Sequence, residues 1–229
     1  RNAGIIQLRN DSVWLANSGF LYAMGIRNTY DLDYTRDGKL FGVENSGDYD
    51  HNEEMNWLRR GRHYGFPWVM GSTRNPQQYP SFNPATDPRI PHCSTTWIYT
   101  SNSTYTYWSN DPTFPQSPSG ITFESPVLNY GPDADKYRDS AGVVHDASSQ
   151  GIPIATFTGH RSPLGLVFDN DSVFCPTYKG DGFVLSWTPG YGSSGCLNTT
   201  TMGVFEDTSQ DLLHLHLTYD SISDNYRTT

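Results

Sequence analysis

The chain has 229 residues, room for one or two ordinary domains, of which 17% are charged, 35% hydrophobic and 14% aromatic. A formal net charge of −9, with no Lys/Arg stripe anywhere, excludes nucleic acid as a main partner, because phosphate binding needs a basic footprint. No apolar run approaches the roughly 20 residues of a membrane-spanning helix. The 21 Gly and 15 Pro disfavour long helices and favour short strands joined by turns, while the aromatics can supply a core.

In chain order, short segments rich in aromatic or β-branched residues, bounded by Gly, Asn, Asp or Pro, predict strands at 4–8, 12–16, 31–34, 40–44, 97–99, 154–157, 165–169, 182–187 and 212–219. Asp37-Gly38 and Asp181-Gly182 are turn dipeptides of the hairpin kind. The best helix signal is a short turn from Glu53 to Arg60, stopped by Gly61. Residues 71–119 and 129–151 break the strand rhythm and are expected as loop insertions. The fold class is therefore all-β, a single domain over 1–229 with long loops. No clean internal repeat is present. Of the three cysteines, Cys175 and Cys196 flank a possible hairpin and could pair, leaving Cys93. Asn10, Asn102, Asn170 and Asn198 each head a glycosylation sequon, which leans toward a secreted, extracellular or periplasmic protein. The chain starts at Arg1 without Met, so a processed product or a fragment is expected.

The chemistry concentrates in residues 25–67. An Arg27-Asn28 pair in Gly25-Ile26-Arg27-Asn28 precedes a strand, and Asp37-Gly38-Lys39-Leu40-Phe41-Gly42-Val43-Glu44 follows. Then come an acid- and glycine-rich loop around Gly47-Asp48, the pair Glu53-Glu54 with Met55-Asn56, and His63-Tyr64-Gly65-Phe66-Pro67. Arg supplies a planar fork for carboxylates, and loop carbonyls and carboxylates supply oxygen ligands for calcium. Taken alone, Arg27-Asn28 would be a turn Asn and a surface Arg, and Glu53-Glu54 a solvated acidic turn. An EF-hand over Asp48, Asp50 and Asn52 fails, because Glu53 stands at the required Gly and Arg59 at the bidentate Glu.

This stretch resembles the glucose/sorbosone dehydrogenase family, soluble quinoproteins on a six-bladed β-propeller. The resemblance lies in a Gly-x-Arg-Asn turn, an Asp-x-x-Gly-x-Leu strand, acid-Glu-x-Asn and Asn-Tyr-Gly-Trp-Pro, the last with Phe66 in place of Trp. A second stretch, Gly159-His160-Arg161-Ser162-Pro163-Leu164-Gly165-Leu166-Val167-Phe168 followed by Gly180-Asp181-Gly182-Phe183-Val184, resembles a later blade. The resemblance implies β-propeller blades and oxidation of a sugar or related alcohol or aldehyde by hydride transfer to calcium-bound pyrroloquinoline quinone, with an external electron acceptor. It implies Arg27, Asn28, Gly47, Asp48 and Arg161 at the cofactor, Gly47 and Asp48 on its calcium, and Glu53, Glu54 and Tyr64 on a structural calcium. The family's general-base His lies upstream of the Arg-Asn pair. None precedes Arg27 here, the seven being His51, His63, His92, His145, His160, His214 and His216. The base is therefore expected before Arg1, with His51 the histidine nearest the site in sequence. A propeller needs about 4–8 blades of ~40–45 residues each. An incomplete propeller is expected, finished by an N-terminal part or a partner chain. The other reading is a non-catalytic extracellular calcium-binding propeller, a binding or structural module.

Three further patterns are weighed. Gly190 to Gly195 fits a dinucleotide fingerprint but opens no helix. His214 and His216 share a strand face and could bind a metal, or simply form the polar side opposite Leu213, Leu215 and Leu217. No Gly-x-Ser-x-Gly elbow is present.

Overall fold

The computed structural model describes residues 3–6, 21–47, 49–83, 86–89, 114–131, 135–187, 205 and 210–229. Its strands are β1 (Ala3–Ile6), β2 (Leu21–Ile26), β3 (Thr29–Tyr34), β4 (Leu40–Glu44), β5 (Glu54–Leu58), β6 (Val69–Met70), β7 (Thr73–Arg74), β8 (Leu128–Asn129), β9 (Lys136–Arg138), β10 (Val144–Asp146), β11 (Pro163–Phe168), β12 (Gly182–Ser186), β13 (Leu212–Leu215), β14 (Leu217–Asp220) and β15 (Asn225–Thr228). Among the described residues there is no α-helix, and no helix long and apolar enough to cross a membrane. The chain is all-β, as expected. Among the described residues, three sheets have three strands each, β3-β4-β5, β11-β12-β13 and β14-β15-β8, and three more are two-stranded ribbons, β1-β2, β6-β7 and β9-β10. Small sheets of this kind are consistent with part of a propeller.

The first two three-stranded sheets are antiparallel meanders, and their edge strands β3 and β11 lie side by side. The seam is made by side chains. Asp31 Oδ2 accepts from Leu166 N and Asp33 Oδ2 from Phe168 N, both at 2.8 Å. Alternation along β3 points both carboxylates the same way, and alternation along β11 turns both amides toward them. An edge strand's free donors are thereby covered without continuing the ladder.

The core lies between the sheets. Phe41, Val43, Met55, Val127, Phe157, Leu166, Phe168, Val184, Leu213 and Leu215 form one apolar cluster. Phe41 anchors it, with ring centroids 5.4 Å from Phe168 and 5.3 Å from Tyr226. The fully buried Thr156 ties separate segments together: its hydroxyl accepts from Met55 N at 2.8 Å and donates to Val127 O at 2.6 Å.

Several sequence expectations change. Residues 53–60 do not form a helical turn. Glu54–Leu58 is β5, because Leu40, Gly42 and Glu44 pair with Leu58, Asn56 and Glu54 across a ladder that outweighs the local signal. Gly61 takes a positive φ of 77° after that strand. The segment 129–151 is not loop throughout, since it contains the β9-β10 ribbon. The expected single strand 212–219 is two strands broken at His216, and they serve different sheets. Asp37-Gly38 does make the β3–β4 turn, with Gly38 N bonded to Thr35 O at 2.8 Å. Asp181-Gly182, by contrast, leads into β12, and the positive φ falls on Gly180. β2 is not marked by the strand pattern because Ala23, Met24 and Gly25 in its middle are neither β-branched nor aromatic. The strands expected at 12–16 and 97–99, the Cys175–Cys196 pairing, Gly190 to Gly195 and the sequons at Asn10, Asn102 and Asn198 lie wholly or partly outside the described residues. At the fourth sequon, Asn170 Nδ2 donates to Tyr34 O at 2.7 Å.

Candidate functional site

The turn joining β2 to β3 carries Arg27 and Asn28 because Gly25 admits it. Gly25 has φ +71°, and a Cβ there would collide with the His63 ring and lie 2.9 Å from Gly65 N. Past that point the backbone is held by a carboxylate: Glu44 Oε1 accepts from Arg27 N and, at 3.1 Å, from Asn28 N. The half-buried Arg27 side chain then turns toward the β4–β5 loop. Its Nη1 donates to Asn45 O at 3.0 Å, and its Nε lies 3.5 Å from where a Gly47 Cβ would stand. A Cβ at position 47 would make only ordinary contact with the guanidinium.

Behind this turn are three buried carboxyl groups. Glu44, at the end of β4, stands directly opposite Glu54, at the start of β5. Asn56 Nδ2 bridges them, donating to Glu44 Oε2 at 3.2 Å and Glu54 Oε2 at 3.1 Å. Gly71 N donates to Glu54 Oε1 at 2.7 Å. Glu53 Oε1 accepts from Ser46 N and Ser46 Oγ, both at 3.3 Å, while its buried Oε2 has no partner among the described residues. Burial pushes the Glu53 and Glu54 carboxyls up to about 7. Burial, and then the charge of Glu54, push Glu44 well above the usual range. Taking such groups out of water disfavours their charged forms, so each awaits a proton or a cation.

The second stretch meets the first here. Asn45 Nδ2 donates to Pro163 O at 3.2 Å, and the nearby Ser162 backbone favours the charged form of Glu53 against its burial. Gly159 is required because a Cβ there would lie 2.6 Å from His51 O. His160 and Ser162 have positive φ of 64° and 50°, left-handed backbone at two non-glycine residues around the buried Arg161. His160 Nε2 lies 2.8 Å from Asp50 Oδ1, and Arg138 Nε donates to Asp50 Oδ2 at 2.8 Å. His51 is buried against Tyr49, and burial lowers its imidazole to about 3, so it stays neutral.

The structure thus brings Arg27, Asn28, Gly47, Glu53 and Glu54 to one end of the β3-β4-β5 sheet, with the 159–163 segment beside them. Asp48 lies outside the described residues. Arg161 is turned to the start of β13, where its Nη2 pairs with Asp211 Oδ2. Tyr64 does not bring its hydroxyl to the acidic pair: that group donates to Trp57 O at 2.6 Å and accepts from Arg59 N at 2.7 Å, toward the other end of β5. Glu44 and Asn56 were missed as site residues. The signal lies in the cross-strand register, which a single strand's sequence does not display.

Among the described residues, no three His, Cys, Asp or Glu side chains surround a common centre. A hard cation at this end would draw on mixed oxygen donors, the orphaned Glu53 Oε2 and the Gly47 carbonyl, and these suit calcium chemically. The guanidinium makes one hydrogen bond among the described residues, to Asn45 O, so the arrangement suits an anionic, oxygen-rich ligand beside that cation.

Scans against protein-family models and against curated proteins gave no match. Among solved structures, the chain is similar to the soluble aldose sugar dehydrogenase of Escherichia coli in its apo form, with a TM-score of 0.40 and 12% identity. The likeness covers 96% of this chain and 40% of that one, so the chain spans about two fifths of that structure's length.

Proposed function

We propose that the Arg27–Gly47–Glu53 end is the cofactor end of a calcium- and quinone-dependent sugar dehydrogenase, of which this chain forms part of the propeller. One observation carries the reading: two stretches that resemble the same family, more than a hundred residues apart, meet through Asn45–Pro163 and His160–Asp50. Arg27 would hold a carboxylate or carbonyl oxygen of pyrroloquinoline quinone, with Asn28 bonding nearby. The Gly47 carbonyl, Asp48 and Glu53 would offer oxygens to calcium, and Glu44, Asn56 and the Ser46 amide would keep those donors in place. When bound, such a cofactor supplies two-electron oxidation of an alcohol or aldehyde carbon, with calcium as Lewis acid and an external acceptor taking the electrons. The chain's own contribution is to bind, orient and hold charge. Burial holds the His51 imidazole far below its ordinary range and makes it a weak proton acceptor, which favours a group outside the described residues or His160 for that role.

A buried, weakly basic His51 also favours the second reading, a calcium-binding propeller with no redox chemistry. A pyrroloquinoline quinone titration of the full-length protein, with and without calcium and followed by an aldose, separates the two. Calcium-dependent binding with spectral reduction on adding sugar is the dehydrogenase result; calcium binding without quinone binding is the module's. Arg27→Ala should weaken quinone binding by about tenfold or more, the loss of a charge-assisted contact. Unchanged affinity would mean the cofactor sits elsewhere.

A further inference from the structure

His214 and His216 do form the polar side of an amphipathic strand, since Leu213 and Leu215 are buried on the other face. The tertiary structure adds a third group to them. In the β12–β13 ladder Gly182 pairs with Leu215, so Asp181, one residue before β12, comes opposite His216, one residue after β13. Asp181 Oδ2 lies 2.6 Å from His214 Nε2, and Asp181 Oδ1 lies 2.9 Å from His216 Nδ1. The carboxylate is 8% exposed and the imidazoles 40% and 59%, so the carboxylate is the floor and the two rings are the open mouth. Tyr178 and Phe183 wall one side, with ring centroids 4.9 Å and 5.3 Å from His214. In the same hairpin Asp169 Oδ1 accepts from Val173 N at 2.7 Å, while its buried Oδ2 has no hydrogen-bond partner among the described residues.

We propose that His214, His216 and Asp181 form a surface site for a divalent late transition ion of the zinc or nickel kind. Two imidazoles and one carboxylate are the borderline donor set such ions prefer over calcium or magnesium. The alternation of a strand places imidazoles two residues apart on one face. Without metal the three groups are hydrogen-bonded to one another rather than spread around a centre. An ion takes the place of those two contacts, each neutral imidazole carrying its N–H on the other ring nitrogen so that a lone pair faces the metal. The remaining positions face water. His216 is also the single residue between β13 and β14, which belong to different sheets.

The probe is zinc or nickel alone, titrated calorimetrically into metal-stripped full chain with thermal melting in parallel. One equivalent should bind and raise the melting temperature. His216→Gln keeps a side-chain donor for Asp181 but removes a ligand nitrogen: its metal-free melting should match wild type while both metal effects disappear. Asp181→Asn should weaken binding on the order of 10- to 100-fold. The site does not exist if neither ion binds wild type. It is equally refuted if the His214→Ala/His216→Gln isotherm superimposes on that of wild type, which would place the ion elsewhere.

Discussion

Glu53 and His51 pull stability in opposite directions with pH. The native Glu53 carboxyl, raised to about 7 by burial, keeps a proton that the unfolded chain releases from its model value of 4.5 upward. Between those values the native state binds more protons, so this contribution is full below the lower value and is lost as pH rises to the upper one. Glu54 behaves alike. His51, lowered to about 3 from 6.5, contributes stability above 6.5 that is lost as pH falls through that window. In metal-free protein, Glu53→Gln should flatten the decline between those carboxyl values and melt above wild type at pH 8. Melting curves in chelator across pH 4.5 to 8 check this; a variant that melts below wild type at pH 8 with an unchanged slope would refute it.

At the level of elements, the Asp31 and Asp33 seam allows two sheet edges to meet without merging. Asp31→Ala removes the acceptor of Leu166 N and should cost about 1–3 kcal/mol, as for a buried donor left unmade. Asp31→Asn keeps a carbonyl acceptor in place and should cost less than Asp31→Ala. Urea unfolding of both variants tests the pair. Equal losses would show that charge, not the hydrogen bond, holds the seam. The same logic explains β5. Local signals over 53–60 favour a helical turn, but they do not display cross-strand partners, and Glu44 opposite Glu54 exists only once β4 and β5 pair.

For the molecule as a whole, cohesion depends on a few buried links between sheets. Thr156→Val keeps the shape but removes a hydroxyl shared by the Met55 amide and the Val127 carbonyl. It should cost about 1–3 kcal/mol and lower one cooperative transition rather than create two. Two separated transitions in the variant would mean that the sheets unfold independently and that Thr156 does not couple them.

The amino-acid sequence by itself determined the all-β class, the Asp37-Gly38 turn, the strands around 40–44, 165–169 and 182–187, and the stretches where charge and glycine gather. Those features are local: strand alternation, turn residues and composition act over a few neighbours. Gly25 and Gly159 were legible as motif positions, yet their reasons, the His63 ring and the His51 carbonyl, are contacts across the chain. Only the tertiary structure decided that Glu44 and Asn56 belong with Glu53 and Glu54, that Tyr64 and Arg161 spend their polar groups on Trp57, Arg59 and Asp211, and that Asp181 joins two histidines. Each of these depends on register and burial. Both arise when distant segments pair and exclude water, and a one-residue slip of β5 along β4 would turn Glu54 and Asn56 to the opposite face from Glu44.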